Sequence, residues 1–282
     1  MVQRISNSWE LVKASARVLQ QDKELLVFPV ISMIGVLIVT ATFILPFIFG
    51  GLLDALLSDR FQAAGYIVMF LYYIVQYAVI FFANTALVGA AMIRLKGGDP
   101  TVRDGLEIAA RNLPAILGYS VIAATIGVIL RSLTERSEGL GRFVISLLGT
   151  AWNVATFLVV PVLAVEGLGP IEAIKRSTSL LKRTWGEQIA GNFGLGAITF
   201  LTIMVVILFG AAGVFGLIAI NASPFFFVIF IALMVLLLVV IGLVSSTLSS
   251  IYTSAVYQYA VTGETGGFFD DQLVQQAFRP RR

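Results

Sequence analysis

Of 282 residues, 58% are hydrophobic and only 12% charged, about half the charged share of a soluble domain. With a mean hydropathy of +0.94, this excludes a water-soluble globule, whose core needs a charged surface around it. Cysteine and histidine are both absent, which removes disulfides, thiolate nucleophiles, imidazole bases and Cys/His zinc sites. No cofactor is expected.

The chain opens with a segment at 5–21 in which Trp9, Val12, Ala16 and Leu19 share one helical face. Glu10, Lys13, Arg17 and Gln20 lie off that stripe, the pattern of an amphipathic helix lying along a membrane interface. An uncharged run follows at 25–53, long enough to cross a hydrocarbon core of roughly 30 Å. It is read as an uncleaved first span, with Pro46 expected to end or kink it. After a polar turn comes a second span at 61–93, decorated by Tyr66, Tyr72, Tyr73 and Tyr77. Tyrosine is an ordinary interface anchor.

Asp99 as N-cap and Pro100 at the first helical position predict a second amphipathic helix at 100–112, with Leu106, Ala109 and Leu113 as its stripe. A third span is expected at 113–130 and a fourth at 143–165. Gly169-Pro170 then opens a third amphipathic helix at 170–185, with Ile171, Ile174, Thr178, Leu181 and Trp185 on one face. From Gln188 to Gly263 there is no Lys, Arg, Asp or Glu. The turn Asn221-Ala222-Ser223-Pro224 divides this stretch into spans at 189–220 and 225–260. Tyr252, Tyr257 and Tyr259 read as an exit interface, and a tail at 264–282 completes a single membrane domain.

The expected fold is therefore all-α: a polytopic integral membrane protein with about six transmembrane helices and cytoplasmic interfacial helices. Of 19 Lys and Arg residues, 15 fall on the side of the termini and amphipathic helices and 4 on the other. The positive-inside rule then predicts a multi-pass protein of the cell membrane with both termini cytoplasmic. Arg131, Arg136 and Arg142 dissent from that count, sharing their loop with Glu135 and Glu138. Because the cations are scattered through short loops, no nucleic-acid partner is expected.

Amphipathic helix, span, short loop, span recurs three times. Ser15-Ala16-Arg17-Val18-Leu19, Ala109-Ala110-Arg111-Asn112-Leu113 and Ser177-Thr178-Ser179-Leu180-Leu181 occupy comparable places. Two readings stay open: a threefold structural repeat, for which transporters give a precedent, or the rhythm any six-span protein with inner linkers produces.

The opening Ser8-Trp9-Glu10-Leu11-Val12-Lys13-Ala14-Ser15, then Asp22-Lys23-Glu24-Leu25-Leu26-Val27-Phe28-Pro29, resembles the start of a family of uncharacterised prokaryotic integral membrane proteins. So does the stretch from Glu166-Gly167 through Ala173-Ile174-Lys175-Arg176-Ser177 to Trp185-Gly186. The layout is also similar to the membrane-anchor domain beside some glycerophosphodiester phosphodiesterases. The resemblance implies a fold and a prokaryotic membrane but no activity, and the phosphodiesterase's catalytic domain has no counterpart here.

No acidic residue falls in the middle of a predicted span, where proton-coupled transporters keep one. Gln76, Asn84, Asn153, Asn192, Thr199 and Thr202 are the polar groups inside the spans. Asn84, Asn153 and Asn192 are the candidates to line a substrate path, although amides in hydrocarbon more often bond between helices. Gly210, Gly213 and Gly216 form a candidate helix-packing surface on the fifth span. Pro161, Glu166, Gly167 and Gly169 mark either a hinge or a plain helix stop. The serines at 245, 246, 249 and 250 have no histidine base and no lysine nearby in sequence, so no enzymatic activity is expected.

The leading expectation is a non-enzymatic scaffold or accessory subunit of a membrane complex, with membrane lipids and a membrane-protein partner or a second copy as its contacts. The rival is a transporter, channel or lipid-handling protein with a cavity between helix pairs.

Overall fold

A computed structural model describes residues 2–49, 62–185 and 194–263, together with residue 267. Among them the chain is helical, with no strand. In order come α1 (Val2–Gln21), a 3-10 turn (Lys23–Leu26), α2 (Val27–Phe49), α3 (Gln62–Leu95), α4 (Val102–Arg111) and α5 (Leu113–Glu135). Then follow α6 (Leu140–Ala155), α7 (Val159–Glu166), α8 (Pro170–Trp185), α9 (Gly194–Ala219) and α10 (Pro224–Thr262). Among the described residues six stretches are long and apolar enough to cross a membrane, α6 and α7 together making one of them.

The buried side chains gather at one end of the bundle. They include Leu25 and Phe28 at the start of α2, Leu87 to Leu95 at the end of α3, and Ile116 and Tyr119 at the start of α5. Leu158 to Leu163 around α7 and Ile251 to Tyr257 near the end of α10 complete the set. At the other end the helices spread, and Leu37, Ile48, Ile67, Leu147, Phe209 and Phe226 are all exposed. In a bilayer such apolar exposure carries no penalty, because lipid tails are as apolar as leucine.

Helix length accounts for this asymmetry. With 34 and 39 residues, α3 and α10 reach about 50 and 58 Å at 1.5 Å per residue, well past a core of roughly 30 Å. The overshoot needs a collar, and α1, α4 and α8 supply one. They pack against α10, α3 and α7 respectively.

Their buried faces overlap the expected stripes only in part, through Leu19, Ala109 and Leu181. In α1 the buried residues are Ala14, Ser15, Val18 and Leu19, while Val12 and Ala16 are half-buried. In α8 they are Ala173, Ser177, Leu180 and Leu181, while Ile171 is exposed. In α4 they are Gly105 and Ala109, with Leu106 half-buried and Leu113 exposed at the start of α5. A face of small residues lets a short helix approach a span closely and leaves much of the larger apolar stripe outward. The side chains of Trp9 and Trp185 lie outside the described residues. Burial follows one register in Ser15–Leu19 and Ser177–Leu181: the first, fourth and fifth residues are buried and the third exposed. The middle segment matches only in part, with Ala109 buried and Leu113 exposed.

Several expected boundaries move. The cap of α4 is Thr101, not Asp99, and Pro100 precedes it. The Thr101 hydroxyl accepts the Asp104 N–H at 3.2 Å and the Asp104 carboxylate accepts the Thr101 N–H at 2.9 Å, a reciprocal capping box. Asp99 instead pairs with Arg94. The third span continues past Leu130 to Glu135, where Arg131 and Glu135 pair one turn apart at 2.8 Å. Pro46 does not end α2, which runs on to Phe49. The expected limits at 50–53, 61 and 189–193, and the tail at 264–282 apart from residue 267, lie outside the described residues.

The largest correction is the fourth span, which is two helices separated at 156–158. Pro161 has no N–H for the Phe157 carbonyl four residues earlier, and its ring crowds that oxygen. The Thr156 hydroxyl bonds back to the Trp152 carbonyl at 2.8 Å, an arrangement that bends helices.

Candidate functional site

The break in the fourth span is closed from outside by α8. The Ser177 hydroxyl accepts the Leu158 N–H at 3.1 Å and donates to the Ala155 carbonyl at 2.7 Å. Irregular backbone within a span is tolerated where protein satisfies its polar groups, and one buried hydroxyl does so here on both sides of the gap.

Where α7 ends, Gly167 takes the left-handed conformation at φ 61°, which glycine adopts without a Cβ penalty. The preceding Glu166 is held twice. Its carboxylate accepts the Arg176 Nε–H at 3.0 Å and the Tyr257 hydroxyl at 2.9 Å, tying α7 to α8 and to the last turns of α10. Tyr257 and Tyr252 are therefore core residues, correcting their assignment to an exit interface. The Pro161–Gly169 segment is a helix end braced by its neighbours, and neither the brace nor the Ser177 bridge could be read from spacing alone.

A second ionic tie stands at the start of the first span. The Arg94 Nε approaches Asp22 Oδ2 at 3.4 Å, with the Asp22 side chain only 4% exposed. Burial pushes the Asp22 carboxyl above its ordinary range, and the adjacent guanidinium pulls it back. The Glu24 carboxylate accepts the Val102 N–H at 3.3 Å, so the 3-10 turn also supports the start of α4.

Within the spans, most polar groups are consumed locally. The Gln76 Nε2 donates to the Thr40 hydroxyl at 2.7 Å and to the Tyr72 hydroxyl at 2.8 Å, joining α2 to α3. Thr199 donates to Ser245 at 3.2 Å, joining α9 to α10. Of the three candidate path residues, Asn84 is half-buried on α3 and Asn153 is exposed on α6, and Asn192 lies outside the described residues. The glycine surface divides. A Cβ on Gly213 would collide with the Phe230 ring, one on Gly210 would sit 3.5 Å from the Met234 sulfur, and one on Gly216 would meet nothing within 4 Å.

One open feature is present at the spread end. A cleft of about 200 Å³ lies between α3 and α5, lined by Tyr73, Tyr77, Ala124, Gly127, Val128 and Arg131. Toward the packed end Tyr77 stacks on Phe81 at 5.6 Å, and Phe81 meets Tyr119 at 4.6 Å. Among the described residues there is no group of three or more acidic side chains that could hold a metal ion.

Six apolar crossings, a collar of short helices and polar groups paired between helices define a polytopic, multi-pass α-helical membrane protein. Residues 63–268 match the model of a family described as a family of unknown function (DUF6159), and the chain belongs to that family. No curated protein and no solved structure matches the chain.

Proposed function

We propose that this protein is a non-enzymatic scaffold or accessory subunit of a membrane complex, seated in the cell membrane with both termini cytoplasmic. The observation that carries the reading is the closed packing of the collared end. Leu87, Ile116, Leu158, Leu163, Leu180 and Ile251 are fully buried there, and Asp22 pairs with Arg94 and Glu166 with Arg176 beside them. A solute path through the bundle would have to cross that core. The spread end, in contrast, offers apolar helix faces to whatever shares the bilayer, and α9 and α10 offer most. The similarity of layout to a membrane-anchor domain beside an enzyme is in keeping with this role.

The test is purification in native-lipid nanodiscs, with mass spectrometry of what stays bound. The expected result is a stoichiometric membrane-protein partner that Phe209→Ala with Phe215→Ala displaces. A purified, reconstituted protein that moves solute at a rate abolished by Asn84→Ala or Asn153→Ala would overturn it. The cleft between α3 and α5 favours one alternative, a lipid-handling protein with a cavity between its helix pairs.

A further inference from the structure

The cleft between α3 and α5 has two chemically different parts. Its rim carries Arg131 and the Tyr73 hydroxyl, with Arg131 Nη1 donating to that hydroxyl at 3.1 Å and Arg131 Nε donating to Glu135 at 2.8 Å. Its wall is Ala124, Gly127 and Val128. A guanidinium has five N–H donors, so three remain for a ligand, and the Arg131 side chain is 64% exposed. A Cβ on Gly127 would have only the Tyr77 hydroxyl within 4 Å, at 3.5 Å, so the glycine widens the groove rather than admitting a neighbour.

We infer that this cleft is a binding site for a phospholipid whose headgroup joins a phosphate to an ammonium. Guanidinium and phenol donors match phosphate oxygens. The carboxylate of Glu135, 63% exposed one turn along, is placed to receive the ammonium. Arg131 and Glu135 stand one turn apart as a cation–carboxylate pair, so a zwitterionic headgroup can meet a partner for each of its two charges. The rim lies at the end of a membrane-spanning helix, where headgroups sit, and the groove below it is apolar. The Tyr77–Phe81–Tyr119 stack makes a floor, which suits a resident acyl chain rather than one in transit. The site stands independently of the scaffold reading and would give the lipid-handling alternative its ligand.

The protein is delipidated in detergent and offered phosphatidylethanolamine, phosphatidylglycerol or inorganic phosphate, and bound species are counted by native mass spectrometry. The expected result is one phosphatidylethanolamine retained in preference to phosphatidylglycerol, reduced at least fivefold by Arg131→Gln and by Gly127→Leu. Glu135→Gln reverses the preference toward phosphatidylglycerol. Arg131 and Glu135 are exposed, so their variants fold even if Gly127→Leu does not. Equal retention by wild type and Arg131→Gln, an unchanged preference in Glu135→Gln, or capture of inorganic phosphate in place of lipid would each overturn the assignment.

Discussion

Ser177 on α8 and Leu158 at the head of α7 are nineteen residues apart, yet the Leu158 N–H donates to the Ser177 hydroxyl at 3.1 Å. The same hydroxyl donates to Ala155 across the break. An amphipathic helix thereby becomes part of the hydrogen bonding of a span, and what looks peripheral in sequence is internal to the fold.

Replacing Ser177 with Ala leaves a buried amide and a carbonyl without their partner. Orphaned groups of this kind cost about 1–3 kcal/mol each, so Ser177→Ala lowers the thermal midpoint in detergent by several degrees. Ser179→Ala, at an exposed position on the same helix, leaves it unchanged. An equal response from the two variants would show that the bridge contributes nothing.

Asp22 and Arg94 give a pH prediction with a definite sign. The folded carboxyl titrates above its ordinary value of 3.8, chiefly because it is buried. The folded state therefore holds the proton more tightly than the unfolded state, and the charged form weakens the fold at neutral pH. That penalty is relieved as pH falls through the raised value. Asp104 acts oppositely: its hydrogen bonds with Thr101 lower its pKa, so its contribution is present above 3.8 and lost as pH falls through the lowered value. Thermal midpoints measured from pH 7 down to about 4 should rise relative to an Asp22→Asn variant, whose own profile lacks that limb. Arg94→Leu, which strands the carboxylate, costs about 3 kcal/mol at neutral pH.

Glu166 joins two partners, so their removals are not independent. Tyr257→Phe removes a donor to a charged acceptor, worth about 1.5–3 kcal/mol. The Arg176 contribution is smaller, because that side chain is 34% exposed and water screens the pair. Groups sharing one partner couple by about 0.5–3 kcal/mol. A double-mutant cycle of Tyr257→Phe and Arg176→Gln, followed by thermal unfolding, should therefore be non-additive, and simple additivity would refute a shared brace.

Span number and helix type were legible in the sequence because lipid imposes one rule on every crossing, a long uncharged run. The short helices announced themselves by their caps and stripes, but their inward faces did not. Of the pattern Val12, Ala16 and Leu19 only Leu19 is buried, and packing selected Ala14, Ser15 and Val18 beside it, since small residues permit close approach. Tyr257 illustrates the same limit. As a residue type it suits an interface, but its location depends on how far α10 overshoots the bilayer, which no local pattern reveals. The tie between Asp22 and Arg94 spans 72 positions and has no local signature. The rim of the cleft was half visible: Arg131 was one of the cations that broke the charge rule, although nothing in the sequence placed Tyr73 beside it.

The glycines of the fifth span allow a last comparison, because one helix supplies both test and control. Gly213 faces the Phe230 ring with no room for a Cβ, whereas Gly216, one turn later, faces open space. Glycine in a helix interior costs roughly 0.5–1 kcal/mol relative to alanine, so Gly216→Ala should leave stability unchanged or raise it slightly. Gly213→Ala gains the same propensity but must push α10 away or turn the Phe230 ring, and overpacking costs typically about 1–3 kcal/mol. The second effect is the larger, so Gly213→Ala lowers the thermal midpoint, and Phe230→Leu in the same chain restores part of the loss by making room. If both glycines instead tolerate alanine equally, the close approach of α9 and α10 is not maintained in the bilayer, and the Thr199–Ser245 hydrogen bond between the same two helices should prove equally dispensable to Thr199→Val.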